Sequence, residues 1–163
     1  MTPVRYHSVF EGIEHWGLAL VFSSIVVGTD GSDTASEAVA LAVQIARQNS
    51  ARLHLVVGVH SSTAVAVPSG GASFSDPAGG PVLRKAAKSV LEGMAEAVEG
   101  LDVEIHTDVG NPADVIVRVA DEVGADLIVV GSKGMQGKRR ILGSVPNRVA
   151  HKAGCHVLVA KTT

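Results

Sequence analysis

Asp126-Leu127-Ile128-Val129-Val130-Gly131-Ser132-Lys133-Gly134-Met135-Gln136-Gly137 decides how this chain is read. A short apolar run reads as a buried strand, and a glycine-rich turn follows it. Gly143-Ser144-Val145-Pro146 then opens a pattern with helical spacing. A turn of this kind lets a ligand approach the main chain and gathers backbone N–H groups beside the positive end of a helix dipole. That is an anion site in outline, and phosphate suits it. The same glycines also serve a plain strand-to-helix turn.

Spacing excludes two motifs. A Walker A loop has four residues between its glycines and then Lys-Ser or Lys-Thr. Here five residues separate Gly131 from Gly137, and Lys138 precedes Arg139. A dinucleotide fingerprint requires G-x-G-x-x-G after the first strand, not G-x-x-G-x-x-G near the end of the chain.

Working outward, strands and helices alternate. Ser24-Ile-Val-Val-Gly28 is a strand closed by Thr29-Asp30-Gly31. Ser32 or Asp33 caps a helix with Ala35, Ala38, Val39, Ala42 and Ala46 at helical spacing. Arg52 to Val59 is a second strand, Val82 to Val98 a helix and Asp102 to His106 a third strand. Asn111-Pro112-Ala113-Asp114 starts a helix that Gly124 stops. Asp126 to Val130, Ser144 to Ala153 and His156 to Ala160 complete the series as strand, helix and strand, with Ser144 read as both N-cap and phosphate ligand. Such alternation predicts an α/β fold with a parallel sheet and right-handed crossovers.

Length and composition agree. The 163 residues allow one domain; 46% are apolar but only 3% aromatic, so the core is aliphatic. A net charge of -2 gives no reason to expect nucleic acid. The apolar stretch from Trp16 to Gly28 is too short to span a bilayer and has no small-residue cleavage site after it. Residues 1–22 are expected to be a poorly ordered extension, with the domain at 23–163. The lone cysteine, Cys155, favours a reducing, cytoplasmic setting. The Gly-, Ser- and Pro-rich stretch from Ser61 to Pro81 reads as a loop that is mobile without ligand. The seven histidines show no H-x3-H spacing on a helix, so no zinc site is expected.

Ligands of parallel sheets bind beyond the carboxyl ends of the strands. If the first and fourth strands are neighbours, Asp30 faces the glycine-rich turn. It could meet a sugar hydroxyl, hold a divalent metal such as magnesium beside phosphates, or simply brace its own turn. Lys133, Lys138, Arg139, Arg140 and Arg148 are either phosphate partners or solvated surface. No acyl-transfer elbow is present, and Gly28 stands where a phosphatase of the D-x-D-G-T type has its nucleophile. No catalytic residue is assigned.

Val27 to Ser32, Val109 to Pro112 and Gly131 to Val145 together resemble the universal stress protein family, over Ser23 to Lys161. The run from Val130 to His156 is the most specific part. The resemblance implies a Rossmann-like five-stranded sheet of order 3-2-1-4-5 with helices on both faces. It implies a homodimer, here through the last strand (156–160), and a stress-response module that binds ATP or, in some relatives, cyclic AMP. The family motif G-x2-G-x9-G-[ST] is matched by Gly131, Gly134 and Gly143-Ser144, with eight residues instead of nine in the longer gap. By the same resemblance Ser132, Lys133, Gly137 and Val145 belong to the phosphate segment. Gly28, Thr29 and Asp30 fall at the ribose and phosphate edge, and Val57 and Gly58 near adenine. A weak magnesium-dependent ATPase and an interaction protein without nucleotide are the alternatives; nucleic acid and membrane are not expected partners.

Overall fold

A computed structural model of the chain describes residues 22–59, 81–132 and 143–162. Five strands, β1 (Ser24–Gly28), β2 (Arg52–Val59), β3 (Val103–Val109), β4 (Leu127–Gly131) and β5 (His156–Ala160), form one parallel sheet. The order is β3-β2-β1-β4-β5. Helices α1 (Asp33–Asn49), α2 (Pro81–Glu96), α3 (Pro112–Glu122) and α4 (Ser144–Lys152) alternate with them. The chain moves outward from β1 to β3, then returns through α3 to lay β4 on the other side of β1.

Both faces of the sheet are covered, which is why β1, β2 and β4 are nearly all apolar. Side chains alternate across the strands. Ile25, Val27, Leu53 and Leu55 pack with Ala38, Ala42 and Ala46 of α1 and with Leu83 and Leu91 of α2. Val26, Val56, Ile128 and Val130 pack with Ile116, Val119 and Ala120 of α3 and with Val149 of α4. Small alanines on α1 let that helix lie close to the strands.

Local chemistry sets the ends of the elements. Ser32 caps α1, its hydroxyl accepting from the Ala35 N–H at 3.2 Å. Asn111 caps α3 through the Ala113 N–H at 3.1 Å, with Pro112 in the first helical position. Several boundaries differ from the sequence reading, β4 for instance running one residue later than expected, over Leu127–Gly131. β3 runs on to Val109 because its pairing with β2 continues to Val59, although alternation of half-exposed polar residues on this edge hides it. α2 ends at Glu96, two residues before the expected Val98. Gly143, not Ser144, is the N-cap of α4, since its ψ of 159° is extended. Pro81, expected as the end of a loop, is the first residue of α2. The rest of that expected loop and the extension up to residue 21 lie outside the described residues.

Asp126 sits just before β4 because its carboxylate has another task. Its Oδ2 accepts from the Ser23 N–H at 2.6 Å, the Ser23 hydroxyl at 2.7 Å and the Ser24 N–H at 2.9 Å, tying the start of β4 to that of β1. These bonds, the Ser23 hydroxyl first, hold its pKa below the ordinary 3.8 against the opposing effect of burial. A depressed carboxylate stabilises the fold above 3.8, and that contribution is lost as pH falls through the lower folded value. Asp126→Asn is therefore expected to be less stable than the parent at pH 7, with the gap in Tm narrowing on acidification to about pH 3. A gap that stays constant with pH would refute the assignment.

Candidate functional site

β1 and β4 are neighbours, and their connections leave the sheet on opposite faces, which opens a crevice at their carboxyl ends. A cleft of about 280 Å³ occupies it. Gly28, Thr29 and Asp30 come from the end of β1, Gly58 from β2, and Val130 and Gly131 from β4. Pro112 and Ile116 of α3 make one wall; Ser32, Thr34 and Ala35 at the start of α1 make another. Ser144, Val145 and Pro146 of α4 and Thr162 complete it.

Three helix amino termini therefore border one space, that of α3 through Pro112, and those of α1 and α4 differ. α1 is capped by Ser32 and carries Asp33 in its first turn. α4 has no side-chain cap. Pro146 lacks an N–H, and the Asn147 N–H is bonded to the Gly143 carbonyl at 3.1 Å. This leaves the Ser144 and Val145 N–H groups as the first-turn donors of α4, beside the positive end of its dipole. The α4 side of the cleft is suited to an anion. The opposite rim carries Asp30, whose Oδ1 accepts from the Ser32 N–H at 3.0 Å and from the Ser32 hydroxyl. The carboxylate thus braces its turn while lining the cleft.

The glycines have packing duties as well. A Cβ on Gly28 would run into Ile116, and one on Gly58 would come within 2.5 Å of the Pro112 Cα. Gly131 lies against Thr162, where a Cβ would meet Cγ2 at 3.2 Å. Gly31, at φ +78°, makes the turn after Asp30.

Of the residues singled out from sequence, Gly28, Thr29, Asp30, Gly58, Gly131, Ser144 and Val145 line the cleft. Gly143 stands at its edge as the cap of α4. Val57 is buried in the core on the α1–α2 face and lines none of it. Ser132 is buried, its hydroxyl accepting from the Thr162 N–H at 3.0 Å. Lys133, Gly134 and Gly137 lie outside the described residues, as do Lys138, Arg139 and Arg140. Arg148 is engaged elsewhere: it forms a two-point pair with Asp114 at 2.9 and 2.7 Å. Lys152 and Arg148, in that order, hold the Asp114 carboxyl below its usual range.

Sequence reading passed over Ser32, Thr34, Ala35, Pro112, Ile116, Val130, Pro146 and Thr162 as cleft residues. The signal for Pro112 was present in Asn111-Pro112, a helix start at the carboxyl end of a strand. Nothing local marked Thr162, which reaches the cleft only because β5 pairs with β4.

The universal stress protein family model matches residues 22–161. The chain belongs to that family. A universal stress protein of Methanocaldococcus jannaschii is 38% identical over 146 residues, covering 86% of this chain and 83% of that protein. A universal stress protein solved in complex with cAMP superposes with a TM-score of 0.64 at 34% identity, covering 88% of this chain and 99% of its own. One from Archaeoglobus fulgidus, in complex with dAMP, gives 0.57 at 26% identity, with 88% and 100% covered.

Proposed function

We propose that this universal stress protein is an adenine-nucleotide-binding module, with ATP or cyclic AMP seated in the β1–β4 cleft. The carrying observation is the uncapped amino terminus of α4 facing Asp30 across the crevice. Phosphate oxygens would accept from the Ser144 and Val145 N–H groups and from the glycine-rich segment between Gly131 and Gly143. Asp30 would take a ribose hydroxyl or a magnesium ion beside the phosphates. The relatives solved with cAMP and dAMP support the choice of adenine. Among the described residues of the cleft the one hydroxyl–carboxylate pair, Ser32 with Asp30, is taken up in capping α1, so binding, not turnover, is the proposed role, in a reducing cytoplasmic setting suited to the free Cys155.

Mass spectrometry of ligand released from gently purified protein, followed by calorimetric titration with ATP and cyclic AMP, tests the reading. At a ligand concentration a hundredfold above Kd the folded state gains about 2.7 kcal/mol, so Tm must rise clearly. No bound nucleotide and no shift with either compound would overturn it. Phosphate release that requires magnesium and is lost in a Ser144→Pro variant would favour the weak-ATPase alternative.

We also propose a homodimer through β5. That strand is an edge of the sheet, and Val157, Leu158 and Val159 are only half-buried in the single chain. His156 donates its N–H to the Asp126 carbonyl at 3.2 Å and Ala160 accepts from the Ser132 N–H at 2.9 Å. Residues 156, 158 and 160 thus face β4, and 157 and 159 present their N–H groups outward. Antiparallel pairing with a second β5 about a two-fold axis would satisfy that edge. Val157→Pro removes an outward donor and spares the β4 ladder. Light scattering should report twice 16.7 kDa for the parent and a shift toward monomer for the variant. A monomeric parent at micromolar concentration would refute the dimer.

A further inference from the structure

A second cavity, of about 480 Å³, opens at the amino ends of β1, β2 and β3, away from the cleft. His54, only 2% exposed, stands in its wall with Glu104, Ser24 and Arg52. Strand register brings His54 opposite Glu104, and His106 lies two residues further along β3. Alternation puts all three side chains on one face of the sheet. We propose that His54, Glu104 and His106 bind a zinc ion, with the fourth coordination position open toward this cavity.

The distances carry the argument. His54 Nδ1 lies 3.0 Å from His106 Nε2, and 3.5 Å from Glu104 Oε2. His106 Nε2 lies 3.9 Å from Glu104 Oε1. A tetrahedral zinc with bonds of about 2.1 Å holds its donor atoms roughly 3.4 Å apart. The two carboxylate distances are to different oxygens; with a single ligand atom from each residue the three donors lie within 4.8 Å of one another, and half-exposed Glu104 has room to close that gap. Two imidazoles and one carboxylate are a donor set that zinc takes when it keeps one position for water.

A further feature points the same way. Ser24 Oγ is buried and without a hydrogen-bond partner among the described residues, and it lines the cavity that the open position faces. An orphaned hydroxyl there fits a polar guest such as a metal-bound water. The neighbouring charges of Arg52 and Asp102 are paired with each other at 2.6 Å, which offsets part of the guanidinium charge beside the cluster.

No H-x3-H pattern announces this site, because β2 and β3 contribute its ligands about fifty residues apart. Metal-stripped protein is titrated with zinc by calorimetry, and with cobalt by visible absorption. The parent should bind one zinc per chain, and cobalt should give the intense bands of a tetrahedral centre. Glu104→Gln should weaken zinc at least tenfold, and His106→Gln should abolish one-to-one binding. His151→Gln, remote from the cluster, should change nothing. Glu104 and His106 are not fully buried, and matching circular dichroism and Tm of the metal-free variants would show that they fold. Nucleotide titration of the same variants should match the parent, which separates this site from the cleft. Absence of stoichiometric zinc binding in the parent, or an affinity in both ligand variants equal to the parent's, would overturn the proposal and identify the cluster as a hydrogen-bonded histidine pair.

Discussion

Gly58→Ala should destabilise the protein by about 3 kcal/mol, lowering Tm by roughly 10 °C. The added Cβ would lie 2.5 Å from the Pro112 Cα and 3.2 Å from its Cβ. These atoms are backbone and a rigid ring, so no rotamer change relieves the clash. The first turn of α3 would have to lift from β2, which disturbs the packing of Val56 with Ala113 and Ile116 and the cleft that Gly58 and Pro112 share. Gly93 is the control: it is exposed within α2, and a Cβ there meets nothing within 4 Å. Gly93→Ala should stabilise by about 0.5–1 kcal/mol, because alanine restricts the unfolded chain and favours helix. Equal and small effects at the two positions, measured by denaturant unfolding, would mean that α3 does not press on β2 as described.

That contrast also shows how far sequence carries. Strand alternation and the helix start at Asn111-Pro112 were legible, and β1, β2 and β5 have the ends their residues predict. The reversal of strand order came from the family resemblance alone, since alternation implies a parallel sheet but not its order, and with it came the position of the crevice. What stayed hidden depends on contacts between distant segments. Gly28 and Gly58 read as neighbours of a ligand, yet both also make room for α3, a helix more than fifty residues downstream. Val57 read as part of the site, but period-two alternation sends it to the opposite face from Val56, into the core beneath α1 and α2. Arg148 read as a phosphate partner, whereas Asp114 one helix earlier engages it. His54 and His106 looked like scattered histidines because register between β2 and β3, which local pattern does not encode, brings them to 3.0 Å.

Ser144→Pro should weaken adenine-nucleotide binding at least tenfold while leaving the fold intact. Ser144 is the first helical residue of α4, the position where proline is best tolerated, because the N–H it removes has no partner within the helix. Gly143 before it has φ −57° and ψ 159°, the extended conformation that a following proline demands. The substitution therefore removes one backbone donor and one hydroxyl from the cleft at little conformational cost. If phosphate sits there, it loses charge-assisted hydrogen bonds, each contributing about 1.5–3 kcal/mol, and calorimetry with ATP and cyclic AMP should show the loss as affinity. Circular dichroism and Tm without nucleotide should match the parent or rise slightly. Unchanged affinity in a folded variant would mean that the amino terminus of α4 does not hold the phosphate, and the proposed orientation of the nucleotide would fail with it. Reduced affinity that ATP and cyclic AMP share equally would place a phosphate common to both at Ser144, and a larger loss for ATP would place the outer phosphates there.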